Sequence, residues 1–499
     1  MGNRTVVSDG MFTIPEVLEA TQGRLIQGDL HQVIGGISTD SRTLKPGEMF
    51  VALKGERYDG HGFLLQALKR EASGAVIEIL KHRIPESSEE ELLRRGRAII
   101  GVNDTRSALQ GLARFHRRRF SIPVVAVTGS NGKTTTKEMI AAILAQEHEV
   151  LSSEGNQNNQ IGVPLTLLRL ASRHRAAVIE MGISQIGEMR TLAQIAQPQV
   201  GVITNIGPTH LETLGSIEGV AQAKGELLEA LPPEKGVAIL NRDDPFCESL
   251  GRKAHLLKRV TFGLSPGAHV RGMDLAVTEG SATAFRLVVQ SEVMGLVPGL
   301  RHRPSDPITD IEIRLPMLGT HNVANAVAAS AAAVVLGCGL DQIKQALEAF
   351  RPVAMRSQLL HGSGAAILND AYNANPASMQ AALSVLDQFE TDGERIAVLG
   401  DMLELGAAEH QAHREVGERM ARIPAGRLIA VGPRARLIAE GALSAGMSRE
   451  RVSICQTTGE AAEVLRGLVK RGDVVLVKGS RGMRLEEILV SLGVLHQGH

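Results

Sequence analysis

Short apolar runs alternate along this chain with stretches whose hydrophobic residues recur at helical spacing, a pattern that predicts strands and helices in regular succession. In the front part, MFVAL from Met49, GAVIEIL from Gly74 and Ala98 to Val102 read as strands. FLLQALKR reads as a helix between the first two, and the amphipathic TRSALQGLARFHRRRF as the helix that follows. Further on, Val124 to Val127, AAVIEMG from Ala176, VGVITNIG from Val200 and GVAIL from Gly236 are apolar runs separated by helical stretches. Such runs predict a parallel sheet covered by helices. Between Lys258 and Arg314 the pieces shorten and fill with Gly and Pro, which predicts a small β excursion before the alanine-rich helix HNVANAVAASAAAVVLG. A third series begins at Arg351, with strands expected at Ala365 to Leu368, Ile396 to Leu399, Leu428 to Val431 and Val474 to Val477. No G-x-G-x-x-G follows the first of these, so a doubly wound unit is expected without a dinucleotide site. The α/β pattern divides the chain into domains at 1–104, 105–350 and 351–499, in keeping with a length of 499 residues.

Composition narrows the class. Hydrophobic residues make up 43% and charged residues 22%, as in soluble globular proteins. Lys plus Arg and Asp plus Glu both number 54, and aromatic residues are only 2%, so neither a basic field nor a stacking platform favours nucleic acid. MGNRTVVSDGMF lacks the apolar core of a secretory signal and AAAVVLG is too short to span a bilayer, so a cytoplasmic protein without membrane insertion is expected. Cys247, Cys338 and Cys455 are odd in number and far apart, which predicts buried or idle thiols rather than disulfides or a zinc site. The acidic PESSEEE from Pro85 interrupts the first domain, and Arg117 to Arg119 read as a solvated helix end rather than an anion site.

The chemistry is concentrated in VVAVTGSNGKTTT, Val124 to Thr136, where an apolar strand turns into a helix. Backbone N–H groups and the helix dipole at such a turn attract phosphate, so Thr128, Gly129, Ser130, Asn131, Gly132, Lys133, Thr134 and Thr135 are read as an ATP cradle. Lys133 reaches phosphate oxygens and the Thr134 hydroxyl holds magnesium in this reading. Glu180, Asn205 and His210 stand at or after the ends of later strands, where open α/β sheets bind ligands, and Lys224 lies in the next helix. Glu180 and His210 with Thr134 are candidate donors to divalent ions, although magnesium prefers oxygen. Each also has a plain reading: Glu180 as a cap, His210 as a surface or core residue, Lys224 as an exposed lysine on an amphipathic helix. GNQNNQIGVP from Gly155 and NDAYNANPASM from Asn369 carry amides that serve either as turn formers or as ligand contacts. In VKGSRG, Lys478, Ser480 and Arg481 follow a strand and suit a carboxylate or phosphate.

Taken in order, STDSR, PGEMFVALKGERYDGHGF, TGSNGKTTTKEM, GNQNNQIGVPLTLL, VIEMG, AKGELLEALP, GTHNVANAVAA, PVAMRSQ, NDAYNANPASM, LGDMLELG and VKGSRG resemble the Mur ligases over nearly the whole chain. The resemblance implies an N-terminal UDP-substrate domain, a central P-loop ATPase built on a parallel sheet and a C-terminal Rossmann-like lid. It implies that Ser41 and Arg42 lie near the uridine and that Asn158 and Asn159 lie near the sugar-peptide and phosphates. By the same resemblance Asn322 faces the adenine, Asp370 meets the ribose, Arg356 approaches the ATP phosphates and Asn373 and Asn375 contact substrate. Lys224 stands where the family carries a carbamylated lysine, N6-carboxylysine, a metal ligand. The implied catalytic set is Lys133, Lys224, His210 and Arg356, with ATP and Mg2+ as cofactors.

No D-N-P-R string occurs, as the diaminopimelate-adding members carry, and NDAYNANPASM matches the members that add a dipeptide. The implied activity joins D-alanyl-D-alanine to UDP-N-acetylmuramoyl-tripeptide through an acyl phosphate, with these small molecules as the partners and a monomer as the expected state. Folylpolyglutamate synthases share the ATPase and lid but not the STDSR domain. A ligase with another amino-acid acceptor, or a nucleotide-binding module without catalysis, are the competing readings. VPGLRHRPSDP has no counterpart in the family pattern.

Overall fold

Consecutive β-branched residues build the strand Val124–Thr128, and it stops where Gly129, at φ 149°, and Gly132, at φ 79°, turn the chain into the helix Lys133–Leu144. The computed structural model describes residues 10–55, 58–79, 96–278, 282–298 and 309–495. These fall into two units, one of Met1–Val124, Leu151–Met181 and Arg190–Gln197, the other of Val125–Val150, Gly182–Met189 and Pro198–His499. The PESSEEE stretch and most of VPGLRHRPSDP lie outside the described residues.

The first unit holds a five-stranded sheet in the order Arg24–Gln27, Ala98–Val102, Gly74–Glu78, Glu48–Val51, Gly36–Ser38. All neighbours are parallel except the first pair. Gly74–Glu78 and Ala98–Val102 are buried throughout, which is why they read as unbroken apolar runs rather than alternating ones. The edge strand Arg24–Gln27 alternates between exposed and half-buried residues and gave a weaker signal. Helix Thr105–Arg117 begins where Asp104 Oδ1 accepts from Ser107 N–H at 2.6 Å.

Its far end corrects the expectation of a solvated arginine cluster at Arg117 alone, Arg118 and Arg119 being exposed. Arg117 is buried, with its guanidinium donating to the carbonyls of Ala196 (3.0 Å), Ile122 (3.1 Å) and Phe120. A fork of donors in fixed geometry ties three chain segments together, and periodicity alone does not distinguish it from a surface charge. Arg119 pairs with Glu16 at 2.7 Å and lies over the rings of Phe12 and Phe115.

In the second unit Val200–Ile203 pairs in parallel with the Val124–Thr128 strand on one side and with Val237–Asn241 on the other. Lys258–Gly263 and Val270–Thr278 continue in parallel, and Ala282–Val289 and Asp310–Leu315 close the series antiparallel. The expected β excursion is thus an extension of the same sheet. Its strands alternate in burial because one face is covered, whereas the central strands are covered on both. The alanine-rich helix Thr320–Val335 covers this sheet, close enough that a Cβ on Gly272 would meet Val327 at 3.0 Å.

The C-terminal part is a six-stranded sheet in the order Gln358–Gly362, Ala365–Asn369, Val474–Lys478, Arg395–Gly400, Gly426–Val431, Val452–Cys455. Only the first edge strand is antiparallel. Helices pack on both faces, with Met379 and Leu383 in one core and Ile396, Val398 and Leu465 in the other. This is the doubly wound arrangement expected from Arg351 onward. The three cysteines are free and buried, as their spacing suggested.

Candidate active site

The phosphate-cradle sequence folds as a loop stitched to the segment after Val200–Ile203. Ser130 N–H donates to Asn205 O at 2.9 Å, Ser130 Oγ donates to Gly207 O at 2.9 Å and Asn131 N–H donates to Asn205 Oδ1 at 2.9 Å. In return Thr204 Oγ1 and Asn205 Nδ2 donate to Asn131 O at 2.5 and 3.1 Å. Asp244 fixes the partner segment by accepting from Ile206 N–H at 2.6 Å. Lys133 folds over the loop, its Nζ donating to Gly129 O (2.8 Å) and Ser130 O (3.2 Å).

Two glycines are required by space as well as by conformation. A Cβ on Gly129 would stand 1.9 Å from Thr204 Oγ1, and one on Gly132 would stand 2.1 Å from Asn325 Oδ1. Gly132→Ala also places a side chain at φ 79°, at a cost of about 1–2 kcal/mol before any clash. We expect nucleotide affinity to fall at least roughly tenfold, because 1.4 kcal/mol is a factor of ten. Titration with a fluorescent ADP analogue measures it, and an unchanged affinity would show that the cradle tolerates a methyl group.

Around the cradle lie most of the other candidates in this unit. The Thr134 side chain is buried at the start of the helix. Asn322 and Asn325 sit on the first turns of Thr320–Val335; Asn325 Nδ2 donates to Asn322 Oδ1 at 3.4 Å and Asn322 Nδ2 donates to Leu318 O at 2.8 Å. Lys224 is only 1% exposed, which removes the surface-lysine reading, and no ion pair reaches it among the described residues. Burial, then the charge of Lys133, hold its ammonium well below the usual lysine range.

His210 stands in the left-handed region at φ 52° and caps the short helix Leu211–Leu214. Its Nδ1 lies 2.6 Å from Glu404 Oε2. Burial lowers its pKa, Glu404 opposes that, and the charges of Lys224 and Lys133 add to it, so the ring is within electrostatic reach of both lysines. Sequence reasoning missed Glu404. The motif LGDMLELG was in view, but nothing in it marked which carboxylate would meet a histidine.

The C-terminal candidates form a second cluster. Lys478 Nζ donates to Asp370 Oδ2 at 2.6 Å and to Asn373 O at 2.8 Å, while Asp370 Oδ1 accepts from Ser357 N–H at 2.9 Å. His321 is half-buried within electrostatic reach of Asp370, and desolvation lowers its pKa. Arg356 lies between the left-handed residues Met355 and Ser357, its guanidinium 3.7 Å above the Tyr372 ring. Ser480 Oγ accepts from Leu403 N–H at 2.9 Å, and Arg481 pairs with Glu486. Asn375 bridges to the cradle, its Nδ2 donating to Asn131 Oδ1 at 2.7 Å. Thr204, Asp244, His321 and Tyr372 also escaped sequence reasoning, since each acts through partners distant in the chain.

In the first unit, Asn158 Nδ2 donates to Glu180 Oε1 at 2.8 Å, so two candidates chosen from separate motifs meet. Asn159 Oδ1 accepts from Gly162 N–H at 2.9 Å at the start of Gly162–Leu167. Ser41 Oγ donates to Gln66 Oε1 at 2.8 Å, while the Arg42 side chain is 79% exposed and pairs with Asp40 at 2.7 Å. That guanidinium holds the Asp40 carboxyl down at about 2. Among the described residues no group of three or more His, Cys, Asp or Glu side chains is gathered to hold a metal, and no helix is long and apolar enough to cross a membrane.

Three family models match in succession: the Mur ligase family catalytic domain at residues 33–117, the Mur ligase middle domain at 127–333 and the Mur ligase glutamate ligase domain at 355–481. The chain belongs to the Mur ligase family. It is 36% identical over 482 residues to the UDP-N-acetylmuramoyl-tripeptide--D-alanyl-D-alanine ligase of Bacillus subtilis, covering 96% of this chain and 98% of that one. It is 35% identical to the ligase of the same name from Escherichia coli, with the same coverage. Among solved structures, MurF from Acinetobacter baumannii superposes with a TM-score of 0.84 at 33% identity, over 96% of this chain and 98% of that chain. MurF from Thermotoga maritima, in complex with ADP, gives 0.76 at 28% identity over 92% and 96%. The α/β architecture of this Mur ligase, with its parallel central sheet and doubly wound C-terminal sheet, is the one the motifs implied.

Proposed function

We propose that this Mur ligase joins D-alanyl-D-alanine to UDP-N-acetylmuramoyl-tripeptide, giving UDP-N-acetylmuramoyl-pentapeptide, ADP and phosphate, in the cytoplasm and as a monomer. It is an ATP-dependent ligase, in line with relatives of that name along the whole chain and with the ADP complex of a MurF structure. One observation carries the reading: the glycine loop holding Lys133 is bonded to the segment that ends in His210, with buried Lys224 in electrostatic reach of both. The domain division at 350 has the gap between the second and third family models, 127–333 and 355–481, in its support, while the first model, 33–117, runs past the division at 104.

A carboxylate at neutral pH resists attack by an amine, so the tripeptide acid must first be phosphorylated. The carboxylate oxygen attacks the γ-phosphorus in line as the bond to ADP breaks; the dipeptide amine then attacks the acyl carbon, loses its proton, and inorganic phosphate departs. Lys133 offsets charge on the transferred group, and Arg356 adds a second cation when the C-terminal sheet closes on the cradle. Ser41 and Arg42 take the uridine end and Asn158 and Asn159 the sugar-peptide. Asn322 and Asp370 take adenine and ribose, and Asn373, Asn375, Lys478, Ser480 and Arg481 line the approach of the dipeptide.

The residues suit magnesium only with added oxygen donors, since the lowered lysine and the lone histidine are nitrogen groups. Thr134, His210 and a carbamate on Lys224 would supply donors from the second unit. Bound there, Mg2+ neutralises phosphate charge.

Substrate carrying oxygen-18 in the terminal tripeptide acid tests the reaction. We expect one labelled oxygen in each phosphate released, read by mass spectrometry. Unlabelled phosphate alongside normal amide product would overturn the acyl-phosphate route. Nucleotide binding with neither phosphate release nor amide formation would favour the non-catalytic nucleotide-binding reading.

A further inference from the structure

The contact between His210 and Glu404 joins the two halves of the second unit. His210 follows the strand Val200–Ile203 of the central sheet, and Glu404 follows the strand Arg395–Gly400 of the C-terminal sheet. Their side chains meet at 2.6 Å. Both residues hold left-handed backbone, at φ 52° and φ 64°, a region that residues with side chains rarely adopt. Two such residues facing each other are held there by their surroundings. Next to them Gly406, at φ 54°, lies so close to the short helix that a Cβ on it would stand 3.6 Å from Glu212 Cα.

The geometry points to Glu404 as a positioning residue for His210: its carboxylate accepts a hydrogen bond from Nδ1–H, fixes the tautomer and ring plane, and leaves the Nε2 lone pair for the metal and phosphate side of the site. This rests on the proposed ligation reading, in which His210 donates to a metal ion. A carboxylate behind the second nitrogen is the usual way a protein sets which nitrogen binds and how basic it is. Here the carboxylate comes from the C-terminal sheet, so the histidine is set only when that sheet lies against the cradle. Asn375, donating to Asn131 from the same side, fastens the loop in the same arrangement. Site assembly and closure thereby become one event.

Glu404 is more than half exposed, so its replacement leaves the core untouched. The full-length protein, with nitrogen-15 in its histidines, reports the tautomer through long-range proton–nitrogen correlations. We expect His210 in the unaltered protein to carry its proton on Nδ1, and Glu404→Ala to move it to Nε2. Mn2+ binding to the ADP-saturated protein, followed by electron paramagnetic resonance, should weaken roughly tenfold to a hundredfold in Glu404→Ala. Glu404→Gln, which still accepts a hydrogen bond, should recover part of that loss. An unchanged tautomer with unchanged Mn2+ affinity in Glu404→Ala would overturn the assignment, as would a His210 ring protonated on both nitrogens in the unaltered protein. His210→Ala separates the two readings. If it is inactive while Glu404→Ala matches the unaltered protein, only the positioning role falls; if it ligates normally, the metal-ligand role of His210 falls and the positioning role with it.

Discussion

Lys133→Ala should lower ligation by roughly a thousandfold or more while the protein still melts within a few degrees of the unaltered one, because charge on the transferred phosphoryl group loses the cation held on the cradle. A thousandfold corresponds to about 4 kcal/mol of lost stabilisation. The loop itself does not depend on the lysine. Ser130, Asn131, Thr204 and Asn205 hold it through at least five hydrogen bonds that the substitution leaves in place. What goes is the pair of bonds from Nζ to Gly129 O and Ser130 O, each worth about 1.5–3 kcal/mol at most for a charged donor and less where water replaces it. Phosphate release with both substrates present, set beside a thermal melt, measures the two effects. Activity within tenfold of normal would remove Lys133 from the chemistry.

Lys224→Ala should be inactive, again by roughly a thousandfold or more, and should regain part of its activity when formate or acetate is added. A carbamate forms when a neutral amine attacks carbon dioxide, the new N–C bond being accompanied by loss of one proton. Burial makes that amine available: each unit by which the lysine pKa falls raises its neutral fraction about tenfold at neutral pH. The sign follows from the base being lowered, so acidification opposes carbamylation and a rise in pH favours it until the amine is fully neutral. A free carboxylic acid is the closest small substitute for the lost group. Assays with and without added formate decide the matter, together with the intact mass of the protein under carbon dioxide. No rescue, with an unmodified lysine mass, would end the carbamate role.

Much of this was legible from the chain because central strands buried on both faces leave long apolar signatures. Val124–Thr128, Ala176–Glu180 and Val474–Lys478 are buried at every position, and their ends delivered the cradle, Glu180 and Lys478. Edge strands such as Gln358–Gly362 and Val452–Cys455 are half exposed and passed unnoticed. Burial of single charges was the other blind spot. Arg117 and Lys224 sit on amphipathic helices with charged neighbours, and spacing cannot tell a guanidinium bonded to three carbonyls, or a buried amine, from a solvated head group. Glu404 shows the same limit across distance: its partner is 194 positions earlier in the sequence, so only the folded arrangement of two sheets pairs them.

Asn375 carries a consequence of a different kind. Its Oδ1 caps the helix Pro376–Gln388 by accepting from Ser378 N–H, so only its amide nitrogen is left to reach Asn131. Hydrolysis of that amide to a carboxylate would keep the cap but set a negative charge against the tip of the phosphate loop. Spontaneous asparagine ageing proceeds when the next residue's backbone nitrogen attacks the side-chain carbon, and Pro376 has no N–H with which to do so. The ring that starts the helix therefore also shields the joint from slow chemical decay over the lifetime of the molecule.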